Sequence, residues 1–275
     1  MIYKYNGDKI PETLSEHISE NSVLTYHRNV VTGTNYSILR VFKKKTNGSE
    51  QHPFIYAPGK LNPASESTLQ MNMRCKFPIA SNVGVFDPQT KIQLGTLIEN
   101  STLIQQGTSL SGTDLDKIRF VLTINDNGDL GYAEPDSNGQ TMINNGIVSA
   151  ALSFIPLVID YDDASKVVDS PYYDHVGDAQ RHVVGQMGNG DYIVISSEAR
   201  GFEDSVGFTT KQVQELCYSI GVKFAFLLDG GGSQETVMGL KQVNPIYEGT
   251  YGRAVPNYLV WNGTDTFGLP NFDGD

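Results

Sequence analysis

The sequence predicts a single domain of the α+β or mixed α/β class, with a central mixed β-sheet, few helices and long loops. Short apolar runs bounded by glycine, proline and asparagine recur along the chain, as is typical of strands joined by turns. Within residues 209–228, a segment whose apolar residues recur with the period of a helix precedes one of these runs. The chain has 275 residues, 39% of them hydrophobic, and 28 glycines, which suits one large, loop-rich domain.

The ends of the chain differ in character from its middle. Residues 1–20 are polar and weakly patterned, so we expect an N-terminal arm there. We expect the domain to occupy residues 21–264 and a polar, glycine-rich tail to occupy residues 265–275. The N-terminus has no apolar segment typical of a secretion signal.

Several strands and turns are predicted in the first half of the domain. Apolar-rich runs at 23–31 and 36–42 flank a Thr-Gly-Thr-Asn sequence, which favours a hairpin. Residues 50–75 contain three prolines and are expected to be irregular. Further along, runs at 120–124 and 130–133 flank Asn127 and Gly128, the strongest short hairpin signal.

Residues 77–87 permit two interpretations. An apolar run leads into Asn82 and Gly84, and Asp87 precedes Pro88. This segment is either a strand entering a loop that offers an amide and a carboxylate to a ligand, or a strand followed by an ordinary Asp-Pro turn.

The acidic loop that follows a strand predicted at 154–158 also permits two interpretations. Residues 160–178 contain six aspartates and three tyrosines. The aspartates offer oxygen ligands to Ca²⁺, but their spacing fits no known calcium loop. We therefore favour a solvated flap over a calcium site.

A helix, a tight turn and a buried strand are predicted before the most informative loop. Thr209 and Gln212 fit a capping box, and a helix with one apolar face follows. Gly221 ends that helix, because a helix commonly ends at a residue of positive φ. The apolar run 224–228 then predicts a buried strand, and ligands tend to bind at the carboxyl ends of strands in open α/β sheets.

The glycine loop after this strand is the main candidate site. Asp229 precedes Gly230, Gly231 and Gly232, and Ser233 follows them. Consecutive glycines are expected where backbone amides approach an anionic oxygen, although a plain flexible turn is the alternative. The loop lacks the lysine of a nucleotide P-loop. The flanking carboxylate and hydroxyl favour a binding or catalytic site.

Composition excludes several functions. The net charge of −11 argues against binding nucleic acid, which requires basic patches. Two cysteines, Cys75 and Cys217, and five scattered histidines offer no tetrahedral zinc set, and nothing supports a disulfide between the cysteines. No apolar run approaches the 18 residues of a membrane span.

Five separate segments carry a resemblance to a known family. They are an Asn-Val-Gly-Val-Phe segment at 82–86, an arginine-led strand at 181–185, Glu198 after a later strand, the Leu-Asp-Gly-Gly-Gly-Ser loop at 228–233, and Arg-Ala-Val-Pro-Asn at 253–257. In order and spacing, residues 24–262 resemble the phosphodiester glycosidase family. Val83, His182 and Leu227 depart from the family's usual residues, as does the Gln-Glu-Thr sequence after Ser233.

The resemblance implies hydrolysis of a sugar 1-phosphodiester. Carboxylates would stabilise the developing sugar cation, and arginines with backbone amides would hold the phosphate. The implied catalytic residues are Asp229, Glu198 and Arg181. The implied substrate-binding residues are Asn82, Gly84, Asp87, Gly230, Gly231, Gly232, Ser233, Arg253 and Asn257. No cofactor is required in this interpretation. Ca²⁺ is a possible ligand of the acidic loop, but no specific metal-binding residues are predicted.

The sequence also suggests a biological setting for the protein. A polar arm without a secretion signal would suit a virion component, such as a phage tail protein acting on a teichoic-acid-like wall polymer, with other virion proteins as partners. An extracellular location is the other one favoured. Two alternatives remain open: a carbohydrate-binding or structural module without turnover, and a calcium-dependent adhesin.

Overall fold

The computed structural model describes residues 12–18, 21–59, 62–107, 119–168, 170–174, 177–200, 202–245 and 250–262. The tail expected at 265–275 and the first part of the expected arm lie outside these residues. The second part of the arm, at 12–18, forms a strand that pairs with the domain.

The described residues form mainly strands, with few helices. The helices are α1 (Thr68–Cys75), α2 (Gly139–Asn144) and α3 (Thr210–Ser219). The strands are β1 (Glu12–Ile18), β2 (Ser22–Asn29), β3 (Thr34–Val41), β4 (Pro53–Tyr56), β5 (Ile79–Asn82), β6 (Leu97–Glu99), β7 (Thr102–Gln105), β8 (Val121–Asn125), β9 (Leu130–Ala133), β10 (Ile147–Leu152), β11 (Pro156–Val158), β12 (His182–Met187), β13 (Tyr192–Ser197), β14 (Val222–Leu227), β15 (Thr236–Met238), β16 (Lys241–Gln242) and β17 (Tyr258–Trp261).

These strands form three sheets rather than the predicted central mixed sheet. The first has the order β1-β2-β3-β13-β12-β14-β11, the second β7-β6-β10-β8-β9, and the third β16-β15-β5-β17-β4. Every pairing between described strands is antiparallel. A parallel pair needs a crossover connection, usually a helix. Among the described strands, six of the fourteen pairings join strands that are consecutive in sequence. The single domain and the scarcity of helices are as predicted, and the mixed sheet is corrected.

The predicted hairpins and the helix before the glycine loop are confirmed. β2 pairs with β3, and β8 pairs with β9 across a turn in which Gly128 has a φ of 78°. The Thr209 side chain accepts from the amide of Gln212, and the Gln212 side chain accepts from the amide of Thr209. Gly221 has a φ of 79°, which a residue with a Cβ rarely adopts. The chain therefore enters β14 as the sequence indicates.

Helix α1 corrects the expectation that residues 50–75 are irregular. Ser67 caps its first turn in a capping box with Gln70, so a local signal was present beside the prolines. A second contact comes from far along the chain. The Glu235 carboxylate accepts from the amides of Thr68 at 2.8 Å and Leu69 at 3.2 Å, which satisfies the helix start.

One buried apolar cluster connects the sheets. It includes Val184 and Phe226 of the first sheet, Leu122 of the second and Leu259 of the third. The rings of Tyr192 and Trp261 meet edge to face with centroids 6.2 Å apart, which joins the first sheet to the third. Burial of this shared cluster is the main stabilising term of the fold.

The acidic loop is held to the domain where the structure describes it. Lys166 pairs with Asp160, and the Tyr173 hydroxyl donates to the carbonyl of Pro156. Within the described residues, no cluster of three or more His, Cys, Asp or Glu side chains is placed to bind a metal ion. In the same residues, Cys75 and Cys217 are free thiols, and no helix is long and apolar enough to cross a membrane.

Candidate active site

The candidate site lies where the strands β13, β12 and β14 of the seven-stranded sheet begin or end. Strand β12 lies between β13 and β14 and is antiparallel to both, so it begins where they end. Arg181 stands just before β12, and Asp229 comes two residues after β14. Antiparallel pairing thus brings together two residues that are 48 positions apart in the sequence.

Asp229 and Arg181 share a cavity of about 260 Å³. Its walls are residues 179–181 before β12, residues 227–231 at the end of β14, and the rings of Phe154 and Tyr172. Among these described residues, Asp229 is the only carboxylate. Tyr172 comes from the acidic loop, which therefore contributes to the cavity through an aromatic ring.

The environment of Asp229 raises its pKa to about 6. Burial is the largest cause, because the protein removes most of the water that would stabilise the charged form. A hydrogen bond from Ser233 and the positive charges of Arg253 and Arg119 act in the opposite direction. A carboxyl group with this pKa exchanges protons near neutral pH, as a general acid or base must.

Ser233 links Asp229 to Arg253. The Ser233 hydroxyl accepts from Nη1 of Arg253 at 2.9 Å and hydrogen-bonds to the Asp229 carboxylate. Ser233 is 1% exposed, so this hydroxyl has little freedom to turn elsewhere. Of the two residues predicted for substrate binding, Ser233 therefore contacts the predicted catalytic carboxylate, and Arg253 contacts Ser233.

Arg181 is held firmly beside the cavity. Its Nε donates to the carbonyl of Phe208 at 2.8 Å, Nη2 to that of Gly177 at 2.7 Å, and Nη1 to the hydroxyl of Tyr172 at 3.1 Å. The side chain is buried, with the guanidinium carbon 5.7 Å from the centre of the Tyr172 ring. Such contacts preorganise a positive charge in the cavity wall.

The glycine loop packs closely against the backbone before β12. A Cβ on Gly230 would lie 2.6 Å from the carbonyl oxygen of Gln180, closer than atoms can approach. The amide of Gly231 donates to that same carbonyl at 3.2 Å, and Gly231 has a φ of 56°. Gly232 is buried in the short 3₁₀ turn Gly231–Ser233. Close backbone packing therefore accounts for Gly230, where the sequence suggested approach to a ligand.

Asn82 positions the loop and does not reach the cavity. Its Nδ2 donates to the carbonyl of Asp229 at 2.7 Å, and its Oδ1 accepts from the amide of Glu235 at 2.9 Å. The side chain is fully buried. Asn82 thus fixes both ends of the segment that carries Asp229 and Ser233, and its expected role of binding sugar hydroxyls stays a prediction.

Gly84 and Asn257 form a second structural contact. The Gly84 amide donates to Oδ1 of Asn257 at 2.8 Å, and a Cβ on Gly84 would lie 2.7 Å from that oxygen. The Asn257 side chain is fully buried and also donates to Gln93. Neither residue is among those that line the cavity. The structure places both in packing between loops, and their expected role in substrate binding stays a prediction.

Asp87 forms a turn at the surface, which is the Asp-Pro turn that the sequence offered as the alternative to a ligand-binding loop. Its Oδ1 accepts from the amide of Gln89 at 2.8 Å and from that of Thr90 at 3.4 Å. These bonds, with that of Gln89 the largest cause, lower the pKa of Asp87. Asp87 therefore stabilises a surface turn outside the cavity.

Glu198 lies at the same sheet edge but outside the cavity. It follows β13, and β12 separates β13 from β14, so the two strands are about 10 Å apart. Burial and, as the smaller cause, the charge of Glu198 raise the pKa of Tyr26 in β2, which lies beyond β13 from Asp229. Glu198 is not among the described residues that line the cavity, and its role as a second catalytic carboxylate stays a prediction.

Comparison with known proteins identifies a family whose sequence profile covers the segments that form the candidate site. The sequence profile of a family described as NAGPA, phosphodiester glycosidase, matches residues 76–261, more than half of the chain. The chain belongs to the phosphodiester glycosidase family. The matched range contains Asp229, Arg181, Ser233 and Arg253.

One curated relative is a prophage-derived protein. The chain is 25% identical to the SPbeta prophage-derived uncharacterized protein YomE of Bacillus subtilis (strain 168), over 284 residues that cover 97% of this chain and 42% of YomE. The chain thus spans less than half the length of that relative.

Solved structures share the fold. The zebrafish N-acetylglucosamine-1-phosphodiester alpha-N-acetylglucosaminidase catalytic domain, auto-inhibited by its pro-peptide, has a TM-score of 0.63 at 18% identity, covering 91% of this chain and 86% of that one. A hypothetical protein from Synechocystis has a TM-score of 0.58 at 11% identity, covering 91% and 63%.

Sequence reasoning missed a third arginine near Asp229. Arg119 is near enough to Asp229 for its charge to lower the pKa, and its guanidinium lies 5.6 Å from the centre of the Phe154 ring in the cavity wall. Arg119 stands just before β8, as Arg181 stands before β12 and Arg253 before β17. An arginine ahead of an apolar strand, the pattern that singled out Arg253, was the available signal.

A buried polar cluster behind the loop was also missed. His182 Nε2 lies 2.7 Å from Oγ of Ser81 and 3.2 Å from Oγ1 of Thr236, which joins β12 to two strands of the third sheet. Burial lowers the pKa of His182 to about 4. A neutral imidazole therefore takes part in the polar cluster that joins β12 to the third sheet.

Proposed function

We propose that this phosphodiester glycosidase hydrolyses sugar 1-phosphodiesters. In the proposed reaction, water adds to the anomeric carbon, the bond from that carbon to the phosphate oxygen breaks, and a free sugar and a phosphate monoester form. The observation that carries the proposal is the single carboxylate of Asp229 in a cavity beside Arg181, with Arg253 and Arg119 close enough to shift its pKa.

The arginines suit the phosphate. A phosphodiester carries one negative charge and offers only hydrogen-bond acceptors, which guanidinium groups match. The whole chain has a net charge of −11, so three arginines near one carboxylate are a local reversal of the overall charge. A cavity of local positive charge attracts an anionic substrate and stabilises the departing phosphate.

Asp229 suits the sugar. As a carboxylate it stabilises the positive charge that develops at the anomeric carbon, and it takes a proton from the attacking water. A phosphate monoester leaves as a stable anion, so protonation by a second carboxylic acid is not required. That chemistry fits a cavity whose described lining residues include one carboxylate. The proposed reaction requires no metal ion, because the guanidinium groups supply the positive charge.

The proposed substrate is a sugar phosphodiester of a cell-wall polymer such as teichoic acid, and the proposed setting is a phage tail or the extracellular side of a cell. The prophage origin of the YomE relative supports the phage setting. The family supports the phosphodiester chemistry.

The test is an assay of sugar and phosphate-monoester release from a sugar 1-phosphodiester. Asp229→Asn should lower kcat/KM by roughly 10²–10⁴-fold, the usual contribution of a group that transfers protons in the transition state. The matched control is Asp162→Asn, whose carboxylate is 86% exposed on the acidic loop. Its rate should equal that of the wild type, as should the rate after chelation of divalent ions. Equal rates for wild type and Asp229→Asn would overturn the proposal.

The second candidate is a non-catalytic carbohydrate-binding or structural module on the same fold. Val83 and Leu227 favour it, because both depart from the family's usual residues and both are buried apolar side chains next to the loop. Under this alternative the protein binds the sugar phosphodiester without releasing sugar. Asp229→Asn then changes neither the affinity for the diester nor the rate of sugar release.

A further inference from the structure

Glu235 is a buried carboxylate to which the proposed reaction gives no role. It stands two residues after Ser233, at the end of the loop that carries Asp229, and is 2% exposed. It is not among the described residues that line the cavity. Burial raises the pKa of Glu235, and its hydrogen bonds oppose that rise. A buried carboxyl group lowers stability unless its neighbours pair with it, so its neighbours show what Glu235 holds.

The Glu235 carboxylate connects separate segments of the chain. It accepts from the amides of Thr68 and Leu69, at the start of α1, at 2.8 and 3.2 Å. It also accepts from Nε2 of Gln242 in β16, and the same Nε2 donates to the carbonyl of Tyr251 at 3.3 Å. The carboxylate therefore joins the start of α1 to the turn that contains Tyr251, by way of Gln242.

Gly252 lies directly against this carboxylate. A Cβ on Gly252 would lie 2.6 Å from Oε2 of Glu235 and 3.0 Å from Oε1, so a side chain would push the turn away. Gly252 also has a φ of 97°, which a residue with a Cβ rarely adopts. The backbone therefore passes over the Glu235 carboxylate immediately before Arg253.

Arg253 reaches the catalytic loop from this turn. Its Nη1 donates to the Ser233 hydroxyl at 2.9 Å. After Arg253, the amide of Val255 donates to the carbonyl of Glu66 at 3.0 Å, one residue before the residue that caps α1. The segment that carries Arg253 is thus fixed to the start of α1 on both sides, by Glu235 before it and by Val255 after it.

We propose that Glu235 is a positioning residue that holds the turn before Arg253, so that the guanidinium reaches Ser233 and stabilises the carboxylate of Asp229. The proposal rests on the proposed function, in which Arg253 belongs to the positive charge around Asp229. It also gives a role to the Gln-Glu-Thr sequence after Ser233, where this chain departs from the family's usual residues.

The first experiment measures the pKa of Asp229 by carbon-13 NMR titration of its carboxyl group, assigned by the loss of its signal in Asp229→Asn. In Glu235→Gln this pKa should rise above the wild-type value of about 6, because Arg253 no longer holds its charge beside the carboxylate. Loss of the negative charge at position 235 would by itself lower that pKa. The direction of the change therefore separates displacement of Arg253 from a direct effect of the charge.

Ser67→Ala is the matched control. The Ser67 side chain caps α1 by accepting from the amide of Gln70, so its removal weakens the same helix start that Glu235 holds. Ser67→Ala should lower the melting temperature, keep the wild-type pKa of Asp229 and leave kcat/KM within a few-fold of wild type. An equal rise of the pKa in both variants would show that any weakening of α1 disturbs the site, which would overturn the proposal.

A double-mutant cycle on a sugar 1-phosphodiester provides the second experiment. Glu235→Gln should lower kcat/KM roughly ten- to a hundredfold, as expected when a group in the site is displaced by about 1 Å. In Arg253→Ala, the further change Glu235→Gln should lower kcat/KM by no more than about threefold, because Glu235 acts through Arg253. Full multiplication of the two losses, with an unchanged or lowered pKa of Asp229, would overturn the proposal.

Gln242→Leu tests the same connection if Glu235→Gln does not fold. It removes the bond to the Tyr251 carbonyl and keeps the bonds between Glu235 and the start of α1, so the pKa of Asp229 should again rise. A wild-type pKa in Gln242→Leu would overturn the proposal. Failure of the proposed function is separately visible, because the titration needs no turnover. If wild type releases no sugar from any diester, the proposed function fails, and the pKa of Asp229 still decides whether Glu235 positions Arg253.

Discussion

Asp229 has a raised pKa although positively charged side chains lie close to it. Burial raises the pKa to about 6, and the hydrogen bond from Ser233 and the charges of Arg253 and Arg119 offset only part of that effect. The consequence is that the folded protein retains a proton on Asp229 at a pH where the unfolded chain has released it. The free energy of unfolding therefore depends on pH through this residue.

The pH dependence of stability tests this assignment. An aspartate in the unfolded chain has a pKa of about 3.9, so the contribution of protonated Asp229 is complete below pH 4 and is lost as the pH rises through 6. The loss amounts to roughly 3 kcal/mol. Asparagine does not titrate, so the melting temperature of Asp229→Asn relative to wild type should rise between pH 4 and pH 7.

The exposed turn residue Asp87 gives the control for this measurement. The hydrogen bond from the Gln89 amide lowers the pKa of Asp87, so the folded state favours its charged form. Asp87→Asn should therefore show the opposite sign, with a relative loss of stability above pH 4. A pH-independent difference between wild type and Asp229→Asn would contradict the raised pKa.

At the scale of elements, the glycine loop is shaped by two different requirements. Gly230 has no room for a side chain, because the carbonyl of Gln180 occupies the position of a Cβ. Gly231 has open space around it but a φ of 56°, so its constraint is conformational. A side chain at Gly230 would clash with the backbone that precedes Arg181, whereas one at Gly231 would not.

Alanine substitutions separate the two requirements. Gly230→Ala should displace the loop from Gln180, lower stability by roughly 1–3 kcal/mol and lower kcat/KM by about 10²-fold, because Asp229 moves relative to Arg181. Gly231→Ala should cost about 1 kcal/mol with kcat/KM within a few-fold of wild type. Melting temperatures and rates of the two variants check this. Equal effects on the rate would show that close packing at Gly230 does not position the site.

Local signals in the sequence predicted the elements around the loop. The capping box at Thr209 and the positive φ of Gly221 both depend only on residues that are close in sequence. The order helix, turn, strand and loop could therefore be predicted. Helix α1 carried a similar signal at Ser67, and the nearby prolines outweighed it. The contact of Glu235 with the start of α1 joins residues that are 167 positions apart and has no local signal.

At the scale of the whole molecule, three antiparallel sheets share one buried cluster. Strand β12 pairs with β13 through a short turn, whereas its pairing with β14 brings in a strand more than 30 residues away. Helix α3 leads into β14, which pairs antiparallel with β12 and β11. The long-range pairing also decides the site, because it places Arg181 beside Asp229 and leaves Glu198 one strand further away.

The shared cluster predicts cooperative unfolding. Trp261 is the only tryptophan of the chain, is fully buried and contacts Tyr192 across two sheets. Its fluorescence should shift to longer wavelength in the same denaturant range in which far-ultraviolet circular dichroism loses the β signal. Two separated transitions would show that the third sheet unfolds independently of the first.

The identity of the bond that breaks tests the central claim most directly. When the protein hydrolyses a sugar 1-phosphodiester in ¹⁸O-labelled water, attack at the anomeric carbon places the label in the hydroxyl of the released sugar. Attack at phosphorus would instead place it in the phosphate monoester. Mass spectrometry of both products should find the label in the sugar for wild type and almost no product for Asp229→Asn. Label in the phosphate, or equal product from both proteins, would contradict the account.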